Sequence, residues 1–296
     1  MHPHDHRFFT TVDGNGNVFF RVRNKIRRVI ANKKEFNSTQ GRSDSQESFY
    51  LEQINRILTN NKSLRNFRRK YDYREILEHV SYNLGKEYFQ RIKIQTKENY
   101  ETLIENNLKN DSFGNPYKYR YEGGLVLSPT TLRYIHTALD IERTVNLTSS
   151  DSIAEIGIGY GGQAAVIERL FKVDKYYAFD LPEVINLANI FLSEIGSNLC
   201  FMNDLMVRNP QKHWDVVISN YAFSELHKDL QTQYLENVLS KASRGYMIMN
   251  SGRTNNSGRS NGKLSLDMIC EYLPNAKVKE EIPLTGPDNY VLYWSS

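Results

Sequence analysis

Four glycines follow a short apolar run near the middle of the chain, and their spacing predicts a loop that binds a cofactor. Residues 153–162 read IAEIGIGYGG. Glycine lets the backbone turn sharply and approach a ligand closely, and a helix that begins there offers unpaired N–H groups. The spacing from Gly157 to Gly162 fits the G-x-G-x-x-G pattern of dinucleotide loops. The spacing from Glu155 to Gly161 fits the acidic-x-G-x-G-x-G pattern of S-adenosylmethionine (SAM) enzymes.

Two carboxylates follow the next predicted strands, where the ribose and the base of a cofactor would lie. Asp180 comes 23 residues after Gly157 and is followed by Leu181. A carboxylate there is placed to accept hydrogen bonds from both ribose hydroxyls, of NAD and of SAM alike. Asp204 is placed to accept from an adenine amino group, with Leu205 packed on the ring. The alternative interpretation makes Asp204 a helix or turn cap.

The elements that position these residues change character near residue 150. Before about residue 110, apolar residues recur at helical spacing, and Ser128-Pro129 predicts a further helix start. After residue 151, apolar runs alternate with amphipathic segments, which predicts right-handed βαβ units and a parallel sheet. The predicted strands are 153–158, 176–179, 199–202, 216–219 and 246–249. Runs 276–283 and 289–294 are joined by too short a segment for a helix, which predicts an antiparallel hairpin at the sheet edge.

These patterns predict an α/β fold with a Rossmann-like sheet, mostly parallel with a terminal antiparallel hairpin, preceded by a mainly helical N-terminal region. The predicted boundary divides residues 1–122 from residues 123–296. We expect the first part to serve in acceptor binding, as a lid or in dimerisation, and the second to bind the cofactor.

Residues 125–296 resemble the class I SAM-dependent methyltransferases. The resemblance depends on the Glu155–Gly161 motif, on Asp180-Leu181-Pro182, on residues 203–206 (NDLM), and on the terminal hairpin, which in that family adds a reversed strand. More narrowly, residues 219–226 (SNYAFSEL) and 114–116 (GNP) resemble the sugar O-methyltransferase family found with glycan and glycosylated-metabolite biosynthesis. The resemblance implies SAM as cofactor, bound by Glu155, Gly157, Gly159, Gly161, Asp180, Leu181, Asp204, Leu205 and Asn220.

Methyl transfer to a hydroxyl needs an in-line geometry and is helped by a proton acceptor. In many plant-type small-molecule O-methyltransferases a His-Asp pair follows the fourth strand, and its histidine is the base. Here Ser224-Glu225 occupies that place, and His227 lies two residues further on. We predict His227 as the base, with Glu225 orienting it or the acceptor, because an ordinary histidine is neutral near pH 7. The alternative makes Glu225 a helix cap and His227 a surface residue.

An acceptor-binding segment is predicted just before the sheet domain, where residues 115–124 interleave aromatic and charged side chains. Tyrosine faces suit sugar rings, and an arginine fork suits a carboxylate or phosphate. The predicted acceptor contacts are Tyr117, Tyr119, Arg120, Tyr121 and Tyr221. The alternative is an ordinary interdomain strand. Residues 251–262 form either a lid or a surface insertion.

The composition is that of an average globular protein, with 296 residues, 40% hydrophobic and 24% charged. This excludes a disordered chain, a collagen-like fibre and a disulfide scaffold. Cys200 and Cys270 are isolated, and no metal site is predicted. We find neither an apolar stretch of roughly 18–20 residues nor a signal peptide, so the predicted location is cytoplasmic, without a transmembrane segment.

Charge is distributed unevenly, because residues 1–100 carry 20 Lys and Arg against 11 Asp and Glu, whereas residues 101–296 carry 18 against 23. The window 21–34 has seven basic residues and no carboxylate. It is interpreted either as a surface for nucleic acid, membrane or an anionic glycan carrier, or, as we favour, as a solvated face or arm. The expected partners are therefore a sugar or glycan acceptor, anionic if the basic part meets it, with peripheral membrane contact and homodimerisation left open.

The sequence thus predicts a SAM-dependent O-methyltransferase acting on a sugar or glycan in polysaccharide or glycosylated-metabolite biosynthesis. An NAD-dependent oxidoreductase also fits the glycine loop and Asp180, although the terminal hairpin counts against it. A nucleic-acid methyltransferase is a further alternative, but no Asn-Pro-Pro-aromatic motif is present and nucleic acid is not expected. The last alternative is a non-catalytic SAM-fold module that binds a partner.

Overall fold

The first part of the chain is mainly helical, as predicted. The computed structural model describes residues 48–173, 175–201, 213–253 and 262–295, so the basic window 21–34 lies outside the described residues. The helices are α1 (Ser48–Leu58), α2 (Asn61–Leu64), α3 (Tyr71–Arg74), α4 (Tyr82–Thr96) and α5 (Tyr100–Asn107), with 3-10 turns at Phe67–Arg69, Lys97–Asn99, Leu108–Asp111 and Glu122–Gly124. Strands β1 (Tyr119–Arg120) and β2 (Val126–Leu127) pair antiparallel.

The long helix α6 (Pro129–Val145) connects this region to the sheet. Its start is as predicted, because the Ser128 hydroxyl accepts from the backbone N–H of Thr131 at 3.2 Å and proline occupies the first turn. Asn146 ends the helix in the left-handed conformation, with its N–H donating to the carbonyl of Glu142. The helix therefore begins and ends at residues with local chemical reasons to be there.

Six of the eight described strands form a mixed sheet in the order β4-β3-β5-β6-β8-β7. Strands β3 (Ser152–Ile156), β4 (Lys175–Phe179), β5 (Trp214–Asn220) and β6 (Ala242–Met249) are parallel. Strand β8 (Tyr290–Ser295) runs antiparallel to both β6 and the edge strand β7 (Lys277–Glu280). The connecting helices are α7 (Gly162–Phe171), α8 (Pro182–Glu194), α9 (Ala222–Glu225), α10 (Lys228–Asn237) and α11 (Leu266–Tyr272), with a 3-10 turn at Leu239–Lys241. The predicted α/β fold with its terminal hairpin is confirmed.

The predicted strand at residues 199–202 is wrong for residues 199–201, and Met202 lies outside the described residues. The side-chain amide of Asn189, on α8, donates to the carbonyl of Phe201 and accepts from its N–H, both at 2.8 Å. These are the two backbone groups that a neighbouring strand would bond. The extended Phe201 is therefore satisfied by a side chain, which the apolar run in the sequence does not reveal.

A network of buried polar groups ties the helical region to the sheet. Arg68 is fully buried and contacts Glu78 at 2.6 Å and Asp111 at 3.1 Å. The hydroxyl of Tyr160, inside the glycine loop, donates to Glu78 at 2.8 Å. Apolar side chains from both parts also join one hydrophobic cluster, from Tyr50 to Val291. The division at residue 122 stays a prediction.

Among the helices that the structure describes, none combines the length and the apolar character needed to cross a membrane.

Candidate functional site

The glycine loop leaves β3 at the carboxyl end of the parallel strands, the edge at which open α/β sheets bind ligands. Gly157 has φ +83°, and a Cβ added there would lie 2.1 Å from the Cβ of Ala222 on α9. Its N–H donates to the carbonyl of Phe179 at 2.9 Å. Only glycine fits this position, because the turn needs a positive φ and two backbone segments meet there.

Asp180 bonds the end of β4 to the glycine loop. One carboxylate oxygen accepts from the N–H of Gly159 at 3.2 Å, and the other accepts from the N–H of Leu181 at 2.8 Å. Burial raises the pKa of Asp180 to about 6, although these backbone hydrogen bonds act in the opposite direction. An ionised carboxylate can accept about four hydrogen bonds. Asp180 therefore retains capacity for hydroxyl donors from a ligand.

Glu155 lies inside the sheet and is only 1% exposed. The hydroxyl of Tyr176, on β4, donates to its carboxylate at 2.7 Å. Burial raises the pKa of Glu155 to about 8, the Tyr176 hydrogen bond lowers it, and the charge of Asp180 raises it. The structure thus gives this carboxyl a partner within the sheet. Its role towards a cofactor stays a prediction.

Asn220 ends β5 beside the glycine loop's strand. Its side-chain oxygen is buried and has no hydrogen-bond partner among the described residues. A buried polar atom without a partner costs roughly 1–3 kcal/mol. Such an atom at the carboxyl end of a strand therefore suits a ligand that donates a hydrogen bond to it. We call the carboxyl ends of the parallel strands the rim of the sheet. The other two cofactor residues predicted for this rim, Asp204 and Leu205, lie outside the described residues.

Tyr221 occupies the same rim in an unusual backbone conformation, with φ +70°. Its hydroxyl donates to Glu281 and lies 3.1 Å from the hydroxyl of Thr285. Glu281 is 6% exposed and also accepts from the side-chain amide of Asn289 at 2.9 Å. Glu281 is not predictable from the sequence, because its partner Tyr221 lies 60 positions away along the chain. The predicted acceptor residue Tyr221 is therefore fixed by the segment between β7 and β8.

His227 precedes α10 and occupies its N-cap position. Its Nδ1 atom lies 3.5 Å from the backbone nitrogen of Asp229 and 3.3 Å from the carboxylate of that residue, and the side chain is 39% exposed. Glu225 accepts from the side-chain amide of Asn250 at 3.0 Å. The geometry thus gives His227 a capping contact of the kind that sequence analysis assigned to Glu225. The catalytic roles of both stay predictions.

The predicted acceptor segment 117–121 is divided between different surroundings. The ring of Tyr117 lies 4.5 Å from the guanidinium carbons of Arg69 and of Arg74. The ring of Tyr119 packs on Tyr82 at 5.1 Å. A groove of about 740 Å³ on the helical region is lined by Tyr82, Lys86, Arg91, Arg120 and Tyr121, among others. The structure therefore brings Arg120 and Tyr121 together, and places Tyr117 and Tyr221 elsewhere.

Arg133, which the sequence analysis did not identify, lies near the start of α6. Its guanidinium donates to the carbonyl of Leu77 at 3.4 Å, and the side chain of Leu77 is the nearest neighbour that a Cβ on Gly159 would meet. A small polar cavity is lined by Arg133 together with Tyr221 and Glu281. Arg133 thus connects the neighbourhood of the glycine loop with the rim at Tyr221.

Among the residues that the structure describes, no group of three or more His, Cys, Asp or Glu side chains is arranged to hold a metal ion.

Comparisons with known proteins found solved structures of low similarity to this chain. The pyocyanin biosynthetic protein PhzM is 12% identical, with a TM-score of 0.40 and 52% of each chain covered, so the match spans about half of PhzM. A methyltransferase from Pyrococcus furiosus is 17% identical, with a TM-score of 0.41. The match covers 66% of this chain and 97% of that one. An RNA methyltransferase from Salinibacter ruber, in complex with S-adenosyl-L-homocysteine, is 12% identical, with a TM-score of 0.35. The match covers 55% of this chain and 89% of that one.

No protein-family model and no curated protein matches the chain. The fold itself rests on the sheet of this chain, whose reversed strand β8 lies between β6 and β7 as expected for a class I methyltransferase.

Proposed function

We propose that the protein is a SAM-dependent O-methyltransferase that methylates a hydroxyl of a sugar or glycan. The observation that carries the proposal is the meeting of three features at one edge of the sheet. These are the glycine loop, the Asp180 carboxylate that bonds to it, and the buried oxygen of Asn220 without a partner. Ligands of open α/β sheets bind at this edge.

The described residues fit SAM in charge and hydrogen-bonding capacity. Asp180 would accept from the ribose hydroxyls, beside Leu181, and Gly157, Gly159 and Gly161 would let the backbone approach the cofactor closely. Asn220 would accept from the amino group of the methionine portion, which removes the cost of its unpaired oxygen. Glu155 would act from within the sheet, by holding the strand below the loop. When bound, SAM supplies a methyl group activated by a positively charged sulfur.

A sugar or glycan acceptor is supported by the groove on the helical region. Tyr82 is 39% exposed and offers a ring face, whereas the ring of Tyr121 is buried and stacks on Phe89. Lys86, Arg91 and Arg120 supply cations at walls that also carry the carboxylates of Glu87 and Glu122. Flat aromatic faces next to hydrogen-bonding groups suit sugar rings, and the volume of about 740 Å³ is within the usual range of roughly 300–1,000 Å³ for ligand sites. The resemblance of residues 219–226 to sugar O-methyltransferases points to the same class of acceptor.

His227 remains our proposed base, with Glu225 orienting it or the acceptor. A sugar hydroxyl is a weak acid, so a general base is expected to contribute about a hundredfold or more to turnover. A His227 variant could also lose activity because the helix cap is lost, which destabilises α10 by about 1 kcal/mol. His227→Asn separates the two roles, since asparagine is a good cap and a poor base. We expect both His227→Ala and His227→Asn to lose activity, with stability retained in His227→Asn.

The function is tested first by calorimetric titration of the full chain with S-adenosylhomocysteine and with NAD. Binding of S-adenosylhomocysteine alone supports the proposal, and binding of NAD alone favours an oxidoreductase. Transfer of labelled methyl groups from SAM is then measured on neutral sugars, uronic acids, oligosaccharides and RNA. Labelling of sugars but not of RNA supports the acceptor class, whereas labelling of RNA alone overturns it. Binding of SAM without transfer to any acceptor would favour a non-catalytic module.

A further inference from the structure

Arg133 is a partly buried cation without an acidic partner in the described part of the chain. No carboxylate oxygen of the described residues lies within 4.0 Å of its guanidinium. Its one hydrogen bond to a described residue is the long contact of 3.4 Å with the carbonyl of Leu77. A guanidinium has five N–H donors, so most of the donors of Arg133 bond no residue in the described part of the chain.

Two other shielded arginines have carboxylate partners, unlike Arg133. Arg68 contacts Glu78 at 2.6 Å, and Arg244 contacts Asp151 at 2.5 Å. Withdrawing a charge from water is costly unless an opposite charge or several hydrogen bonds compensate. Arg169, which also has no carboxylate within 4.0 Å among the described residues, donates to the side-chain oxygens of Asn107 and Asn110. Arg133 has only its one long hydrogen bond to a described residue, so most of the compensation for its charge must come from another group.

The surroundings of Arg133 place that partner between the glycine loop and the rim of β5. On one side, Leu77 bonds the guanidinium and packs towards Gly159. On the other side, Arg133 and Tyr221 line a small polar cavity, which the carboxylates of Asp140 and Glu281 also line at more than 4.0 Å from the guanidinium. The guanidinium carbon also lies 5.2 Å from the ring centre of Tyr134, which orients the fork without neutralising it. An anion bound here would lie beside the proposed cofactor site.

We propose that Arg133 binds a carboxylate of a ligand of the active site. Planar guanidinium groups bind carboxylates in a bidentate manner, with two parallel charge-assisted hydrogen bonds. The inference rests on the proposed function. Two sources have this chemistry, namely the carboxylate of the methionine portion of SAM and an acidic group on the acceptor sugar. In either case, Arg133 fixes the bound molecule against the end of β5.

The test compares the full-length protein with Arg133→Gln and Arg133→Lys by calorimetric titration. The cofactor source is probed with S-adenosylhomocysteine and with 5′-methylthioadenosine, which lacks the amino-acid portion. The acceptor source is probed with glucuronate and with glucose, each with and without S-adenosylhomocysteine. Loss of charge-assisted hydrogen bonds is expected to weaken carboxylate binding at least about tenfold in Arg133→Gln. Arg133→Lys keeps the charge without the fork and is expected to be intermediate.

A selective loss identifies the source. Weaker binding of S-adenosylhomocysteine, with 5′-methylthioadenosine unchanged, assigns the methionine carboxylate. Weaker binding of glucuronate, with glucose unchanged, assigns the acceptor. The inference is overturned if Arg133→Gln leaves both carboxylate ligands within twofold of the unsubstituted protein, or if it weakens the carboxylate ligands and their neutral counterparts equally.

The controls separate this inference from folding and from the proposed function. Arg143→Gln removes the same charge from an exposed position on the same helix and should bind all four probes normally. Thermal unfolding of each variant shows whether its fold is intact. If the unsubstituted protein binds no S-adenosylhomocysteine, the proposed function fails. The glucuronate titration without cofactor then still decides whether Arg133 binds a carboxylate.

Discussion

The Asp180 carboxylate lies 3.2 Å from the backbone nitrogen of Gly159, so the end of β4 is bonded directly to the glycine loop that follows β3. The same carboxylate holds the N–H of Leu181 at the start of α8. One side chain therefore sets the spacing between two neighbouring strand ends and also presents acceptor oxygens at the site. Both of these roles make measurable predictions.

Asp180→Asn is expected to weaken the binding of S-adenosylhomocysteine by about tenfold or more, because an amide has one acceptor oxygen where the carboxylate has two, and it lacks the charge. With a pKa of about 6, Asp180 loses its charge as the pH falls through 6. The affinity of the unsubstituted protein should therefore fall below pH 6, and that of Asp180→Asn should not. Calorimetric titration from pH 5 to pH 8 measures both. Asp267→Asn, at an exposed position, serves as control, and an unchanged affinity in Asp180→Asn would contradict the assignment.

The raised pKa of Glu155 predicts that the free energy of unfolding decreases as the pH rises. Its pKa of about 8 in the folded protein lies above the ordinary value of 4.5, so between these values the folded protein holds a proton that the unfolded chain releases. The free energy of unfolding must then fall as the pH increases towards 8. The slope is about 1.4 kcal/mol per pH unit while Glu155 is protonated in the folded protein and ionised in the unfolded chain. Glu155→Gln cannot ionise and should reduce this decline.

Urea unfolding between pH 6.5 and pH 9 tests the prediction, because Asp180, with its pKa of about 6, contributes little over that range. Glu194→Gln, at an exposed site, should keep the pH dependence of the unsubstituted protein. An equally steep decline in Glu155→Gln would show that other groups cause it.

Gly157→Ala is expected to destabilise the protein by more than the roughly 1–2 kcal/mol of a positive φ, because its Cβ would meet the Cβ of Ala222 at 2.1 Å. Gly196→Ala is a matched control, since Gly196 has φ +67° and a Cβ there would meet nothing within 4 Å. Thermal unfolding of both variants gives the difference due to the close contact. The double variant Gly157→Ala, Ala222→Gly should regain part of the loss, and no recovery would place the clash elsewhere.

Arg68→Met is expected to cost about 3–5 kcal/mol, because it leaves the buried carboxylates of Glu78 and Asp111 without their cation. Arg56→Met removes an exposed pair with Glu52 and should cost less than about 1 kcal/mol. Denaturant unfolding compares the two. Because Glu78 also bonds Tyr160, we expect Arg68→Met to weaken S-adenosylhomocysteine binding as well, and a loss similar to that of Arg56→Met would argue against a network that supports the loop.

Local chemistry explains why much of the fold was predictable from sequence. The glycine loop, the helix start at Ser128-Pro129 and the terminal hairpin each depend on residues within a few positions of one another. A turn with positive φ needs glycine, a helix start favours a serine cap with proline after it, and a short connection between strands forces an antiparallel pair. Each of these preferences involves residues that are neighbours in the sequence, so their spacing is sufficient to predict the local structure.

The prediction at residues 199–201 failed because a distant side chain decided the outcome. The amide of Asn189 bonds the backbone of Phe201 where a strand would have bonded it. Similarly, the polar contacts of Tyr221 involve Glu281, and the surroundings of Arg133 involve Leu77. None of these pairs has a recognisable spacing along the chain.

The sequence by itself determined the α/β class, the position of the glycine loop and the carboxylate at residue 180, because each follows from local conformational preference or from strand order. Only the tertiary structure decided that Glu155 is enclosed with Tyr176, that His227 caps α10, and that Arg133 donates to the carbonyl of Leu77 with no carboxylate within 4.0 Å among the described residues. The physical reason is that burial and charge pairing depend on which segments meet in space. A residue's type sets what it can bond, and packing sets which partner is within reach.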